Sequence, residues 1–145
     1  MSFYEDNAIE YFRSNFNCAQ AVLVAFSEKY HMDKETALKI SSGLGAGFRS
    51  GEICGAVSGA VLVIGLRYGQ SNSLDMESKH NCYMKTEEFI RIFRERYNGI
   101  QCRELLGCDL STKEGREKAE KEELFKNICE DNVRNAVKLL EELGY

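Results

Sequence analysis

Cysteine is the residue type whose chemistry most needs explaining in this chain of 145 residues, which carries six: Cys18, Cys54, Cys82, Cys102, Cys108 and Cys129. A cysteine thiolate is both a nucleophile and a soft metal ligand. The opening residues, MSFYEDNAIEYF, lack the basic and apolar regions of a secretion signal, so we expect a cytoplasmic protein whose thiols start reduced. In that compartment a disulfide framework is not the usual purpose of cysteine, which leaves metal ligation or thiol redox chemistry.

Spacing narrows the choice. No two cysteines form C-x-x-C, the pair on which structural zinc and thioredoxin-like sites are commonly built. None stands in C-x-x-C-H, so covalently attached haem is not expected. His31 and His80 lie far apart without an H-x-x-x-H or H-E-x-x-H context, and both read as surface residues. Any cysteine site must therefore be distributed, with ligands converging from separate helices as they do in bundle cores. Cys18, Cys54 and Cys102 each fall near an expected helix start, where free amides and the helix dipole lower a thiol pKa. Cys82 and Cys108 have no such feature and read as structural. The plain alternative for each cysteine taken singly is a small buried hydrophobe.

The stretch Ser41 to Gly69, SSGLGAGFRSGEICGAVSGAVLVIGLRYG, brings Cys54 out of a glycine-rich loop onto the first turn of an apolar helix. GLGAGF does not satisfy G-x-G-x-x-G, and neither GK[ST] nor a preceding strand is present, so no bound nucleotide is expected. Such a loop can instead turn several backbone N–H groups toward an anion or toward the sulfurs of a cluster. Gly45, Gly47, Gly51 and Gly55 are the residues we assign to that cofactor-facing role. Gly51, Gly55 and Gly59 recur every four residues from about Glu52 onward, a spacing that lets another backbone approach one side of the helix.

The elements that must position these groups are helical. Apolar residues at Ala8, Ile9, Tyr11 and Phe12 predict a short amphipathic helix within Tyr4 to Ser14. Asn17 with Gln20 three residues later predicts a capping box, placing Cys18 at the first position of the next helix, which ends near Tyr30 and His31. Asp33 starts a short helix that the alternate glycines from Gly43 stop. Ala56 to Leu66 is apolar on nearly every side and predicts the central buried helix. Leu74 to Tyr97 predicts a long amphipathic helix ended by Asn98-Gly99, and CRELLG a short one from Cys102 ended by Gly107. Ser111 to Glu123 is charged and reads as an exposed connector with partial helix; Leu124 to Leu143 is the last helix, with Cys129, Val133, Ala136, Val137 and Leu140 inward.

The expected fold class is all-α: a bundle of four principal helices plus short ones, in one domain spanning 1–145. Proline is absent where average usage of about 5% predicts roughly seven, which suits a helical chain. The net charge of −4, with 19 basic and 23 acidic residues interspersed, leaves no basic face for nucleic acid. The longest apolar run is too short to span a membrane, and no membrane association is expected.

NCAQAVL (17–23), CGAVSG (54–59), CRELLG (102–107) and the late Cys129 together resemble the C_GCAxxG_C_C family of redox-active proteins over nearly the whole chain. The resemblance puts the four signature cysteines at Cys18, Cys54, Cys102 and Cys129, with Gly55, Ala56 and Gly59 completing the C-G-A-x-x-G centre. It leaves Cys82 and Cys108 outside. It implies a helical domain related to the non-haem part of split-Soret-type cytochromes and an electron-transfer or redox role rather than a substrate-specific enzyme. Three readings are open: an iron–sulfur cluster on the four thiolates, the preferred one because four cysteines are its usual ligand set; metal-free thiol–disulfide exchange; and a structural or interaction module with a zinc or empty cysteine site. The redox partner is not specified by the sequence, and a homodimer is compatible with it.

Overall fold

The computed structural model describes residues 2–145, which form eight α-helices. They are α1 (Phe3–Arg13), α2 (Cys18–Ser27), α3 (Lys34–Ile40), α4 (Gly55–Tyr68), α5 (Met76–Tyr97), α6 (Cys102–Leu106), α7 (Lys113–Lys121) and α8 (Leu124–Glu142). Among the described residues there is no strand, only one antiparallel pairing of Ile53 with Gln101. The chain is all-α, as its periodicity predicts.

The helix ends follow from their side chains. At α2 the Asn17 carboxamide accepts the Gln20 N–H at 2.9 Å while the Gln20 side chain accepts the Asn17 N–H at 2.9 Å, the expected reciprocal box. Asp33, Asp75 and Thr112 cap α3, α5 and α7 in the same way, each accepting an N–H three residues on. Asn98 closes α5 and Gly107 closes α6 in left-handed conformations.

The core is arranged about α2. Every residue of α2 except Gln20 is buried, and α4, α1, α3 and α8 pack around it. α4 is buried over Gly55, Ala56, Val57, Gly59, Ala60, Val63 and Ile64. Two glycines make the α2–α4 contact close: a Cβ on Gly59 would lie 2.7 Å from the Ala19 carbonyl oxygen, and one on Gly55 would lie 2.5 Å from the Cys18 sulfur. Gly51 does not belong to this face. The helix starts at Gly55 rather than near Glu52, because Ile53 and Cys54 are drawn into extended pairing with the segment before α6.

Phe26, Phe89, Phe93 and Leu23 fill the main core. A second, smaller cluster joins Cys102, Leu106, Leu110, Ala119 and Cys129. Ala119 belongs to the charged stretch whose sequence reads as a connector. That stretch is helix α7, whose one apolar stripe seals the second cluster while its charges face water.

Candidate functional site

Four cysteines from four parts of the chain line one cavity of about 470 Å³: Cys18, Cys54, Cys102 and Cys129. Cys18 is the first residue of α2, Cys54 immediately precedes α4, Cys102 is the first residue of α6, and Cys129 sits on the inner face of α8. All four are buried and none is in a disulfide.

Local backbone geometry explains the convergence. The Ile53–Gln101 pairing sets two cysteines side by side: the Cys54 N–H donates to the Ile100 carbonyl at 2.7 Å, and the Cys102 N–H donates to the Glu52 carbonyl at 2.6 Å. Arg103 ties the same junction, donating to the Gly51 carbonyl at 3.0 Å and the Glu52 carboxylate at 2.6 Å. The absence of a side chain at Gly55 leaves room for the Cys18 sulfur against the start of α4.

The glycine-rich loop takes an unusual form. Ala46, Gly47, Phe48 and Arg49 are four successive left-handed residues, with φ of 54°, 61°, 60° and 59°. Each non-glycine residue held there costs about 1–2 kcal/mol. The Glu52 N–H, donating to the Gly47 carbonyl at 3.0 Å, closes the turn, and a Cβ at Gly47 would lie 2.5 Å from that nitrogen. The turn aims the Ala46 N–H at the Cys18 sulfur, which also receives the Ala19 N–H. Asn17 anchors the loop by donating to the Ser42 carbonyl at 2.9 Å. Of the four glycines assigned a cofactor-facing role, Gly45 lines the cavity. Gly55 stands against the Cys18 sulfur, Gly47 is buried within the turn, and Gly51 is buried against Asp109.

Electrostatics separate the four thiols. The Cys54 S–H donates to Cys18, and this, with the backbone N–H groups, holds the Cys18 thiol below its ordinary range despite burial. Cys54 moves the opposite way, because ionising it would break that bond and place a second charge beside the first in a dry site. Burial pushes Cys102 up to about 12 and Cys129 higher still, with the Cys18 charge adding to both. Position at a helix start predicts a lowered pKa for Cys54 and Cys102 as well. Of the four, the fold lowers only Cys18: at Cys54 the bond to Cys18 and burial, and at Cys102 burial and the Cys18 charge, outweigh the dipole.

Cys82 is half-buried on α5 against the main core. Cys108, which reads as structural in the sequence, packs on the second cluster with Cys102 and Cys129 and faces Lys118 and Glu122. No motif marks it; only the fold of α6 and α7 brings it there. Asn132 is a site residue that sequence reasoning missed: it lies one turn beyond Cys129 on the inner face of α8 and lines the cavity. A buried asparagine at the a/d spacing of an otherwise apolar face was the available signal.

The donor set suits an iron–sulfur cluster in kind and number, four cysteine sulfurs around one cavity. The spacing does not: among the described residues no three of His, Cys, Asp and Glu converge in a way that could hold a metal ion. Among the same residues no helix is long and apolar enough to cross a membrane.

No curated protein and no solved structure matches the chain. Residues 16–143 match the family described as "Putative redox-active protein (C_GCAxxG_C_C)". With a match that takes in all four cavity cysteines and the C-G-A-x-x-G centre, the chain belongs to the C_GCAxxG_C_C family.

Proposed function

We propose that the chain is one helical domain acting as a two-electron thiol redox protein, with Cys18 as the attacking thiolate and Cys54 as its resolving partner. The observation that carries this is that Cys18 and Cys54 line one cavity, with the Cys18 sulfur seated against Gly55, the residue after Cys54, and the Cys18 thiol held below its ordinary range by Cys54. A thiolate stabilised in this way is the reactive form in disulfide exchange. Cys18 attacks one sulfur of a partner's disulfide, and the other sulfur leaves as a thiolate. Cys54 then loses its proton and attacks the Cys18 sulfur of the mixed disulfide, releasing the partner's second thiolate. The protein's dithiol is oxidised to a disulfide and the partner's disulfide is reduced to two thiols. A reducing compartment such as the cytoplasm would regenerate the dithiol.

The test is equilibration of the reduced protein with oxidised and reduced glutathione, followed by alkylation and peptide mass mapping. A Cys18–Cys54 disulfide is the expected product, abolished by C18S and by C54S. A protein that alkylates at all six cysteines under oxidising conditions refutes the reading.

The preferred cofactor of the sequence reading, an iron–sulfur cluster on Cys18, Cys54, Cys102 and Cys129, is a second proposal. It is supported by the common cavity of the four thiols, and it requires the sulfurs to draw together from their present spacing. Anaerobic reconstitution with iron and sulfide tests it; a colourless, iron-free product refutes it.

A further inference from the structure

The cysteine cavity has walls that thiol chemistry does not use. No aspartate or glutamate lines it, although acidic residues outnumber basic ones in the chain, 23 to 19. Of aspartate, glutamate, lysine and arginine only Arg49 lines it, and its exposed side chain enters no ion pair or hydrogen bond among the described residues. From α8, Asn132 is 5% exposed, lines the same cavity, and finds no hydrogen-bond partner for its side-chain amide within the described residues. With no partner inside the protein, that amide is free to bond a molecule entering the cavity. Phe12, Phe16 and Phe125, with Leu110, supply the apolar part of the lining. The volume of about 470 Å³ falls within the range of about 300–1,000 Å³ common for small-molecule sites.

We infer that this cavity binds a small organic anion, its acidic head held between Arg49 and Asn132 and its apolar body against the phenylalanines. A guanidinium gives a carboxylate two parallel donors, and the asparagine N–H₂ adds a third, so the head is recognised by charge and by geometry. The inference rests on the lining of the cavity and goes beyond the thiol reading. Binding itself needs neither a disulfide nor a metal.

The experiment titrates the reduced full chain with benzoate, and with benzamide as its neutral counterpart, by calorimetry and by following the Asn132 side-chain amide resonance. Benzoate binds, shifts that resonance, and loses at least tenfold in affinity in R49Q, while benzamide binds more weakly to the wild-type protein. R94Q, which removes an arginine outside the cavity, retains the wild-type affinity. Because Arg49 is exposed, R49Q is expected to fold, and its melting curve checks this; N132L serves as the second variant. Equal benzoate affinity in wild type and R49Q, equal affinity for benzoate and benzamide, or no benzoate binding overturns the inference. Glutathione equilibration keeps the two proposals apart. A Cys18–Cys54 disulfide that still forms in R49Q while benzoate affinity is lost upholds both; the disulfide together with undiminished benzoate affinity in R49Q refutes the anion site alone.

Discussion

Alanine at Gly59 and alanine at Gly65 are the same substitution on the same helix, α4, yet the packing predicts opposite outcomes. A Cβ on Gly59 would lie 2.7 Å from the Ala19 carbonyl oxygen and 3.1 Å from the Ala19 Cα, both backbone atoms of α2. Backbone cannot turn aside as a side chain can, so α2 and α4 must part along their contact. Overpacking of this kind costs about 1–3 kcal/mol. The higher helix propensity of alanine returns about 1 kcal/mol, leaving G59A between neutral and about 2 kcal/mol less stable. At Gly65 nothing lies within 4 Å of the added carbon, so G65A keeps the full propensity gain of about 1 kcal/mol. The two variants should therefore differ by about 1–3 kcal/mol, at roughly 4 °C in Tm per kcal/mol for a chain of this length. Thermal unfolding followed by circular dichroism, with urea midpoints as a cross-check, measures the difference. If G59A proves as stable as G65A, the close α2–α4 approach that sets Cys18 against the start of α4 is refuted.

Three further outcomes are expected of the site and its surroundings. N17A removes both the cap of α2 and the anchor on the Ser42 carbonyl, and should lower stability by about 1–2 kcal/mol in urea unfolding; it should also speed Cys18 alkylation as the loop loosens. The pH profile of Cys18 alkylation by iodoacetamide should have its midpoint below 9.0 and move upward in C54A, since the Cys54 donor is the largest cause of the depression; an unchanged midpoint in C54A would show that the donor is not there. Cys102 and Tyr145 are both held up to about 12 by burial, so their neutral forms are favoured in the fold. Above pH 9.0 the unfolded chain ionises Cys102 before the folded one does, and above 10.0 it does the same at Tyr145; stability should fall from there to about pH 12. Y145F should flatten the part of the urea-midpoint curve above pH 10.0.

Local rules settled much of this protein from its sequence. The Asn17–Gln20 box, the Asp33 cap, and the left-handed stops at Asn98 and Gly107 act over three or four residues, and each of those helix ends lies where those side chains put it. The close approach at Gly55 and Gly59 was also legible, since a four-residue repeat of glycines states where side chains are missing. The tertiary structure decided what depends on contacts distant in sequence. The Ile53–Gln101 pairing, which brings Cys54 beside Cys102, has no local signal because the two segments lie on either side of α5. The same holds for α7, whose charged sequence hides the single buried face around Ala119. The order of thiol acidities was beyond sequence for a related reason. A helix start lowers a pKa through its own amides, but the bond from Cys54 to Cys18, burial and neighbouring charge are properties of the whole packing, and at Cys54 and Cys102 they outweigh the local effect.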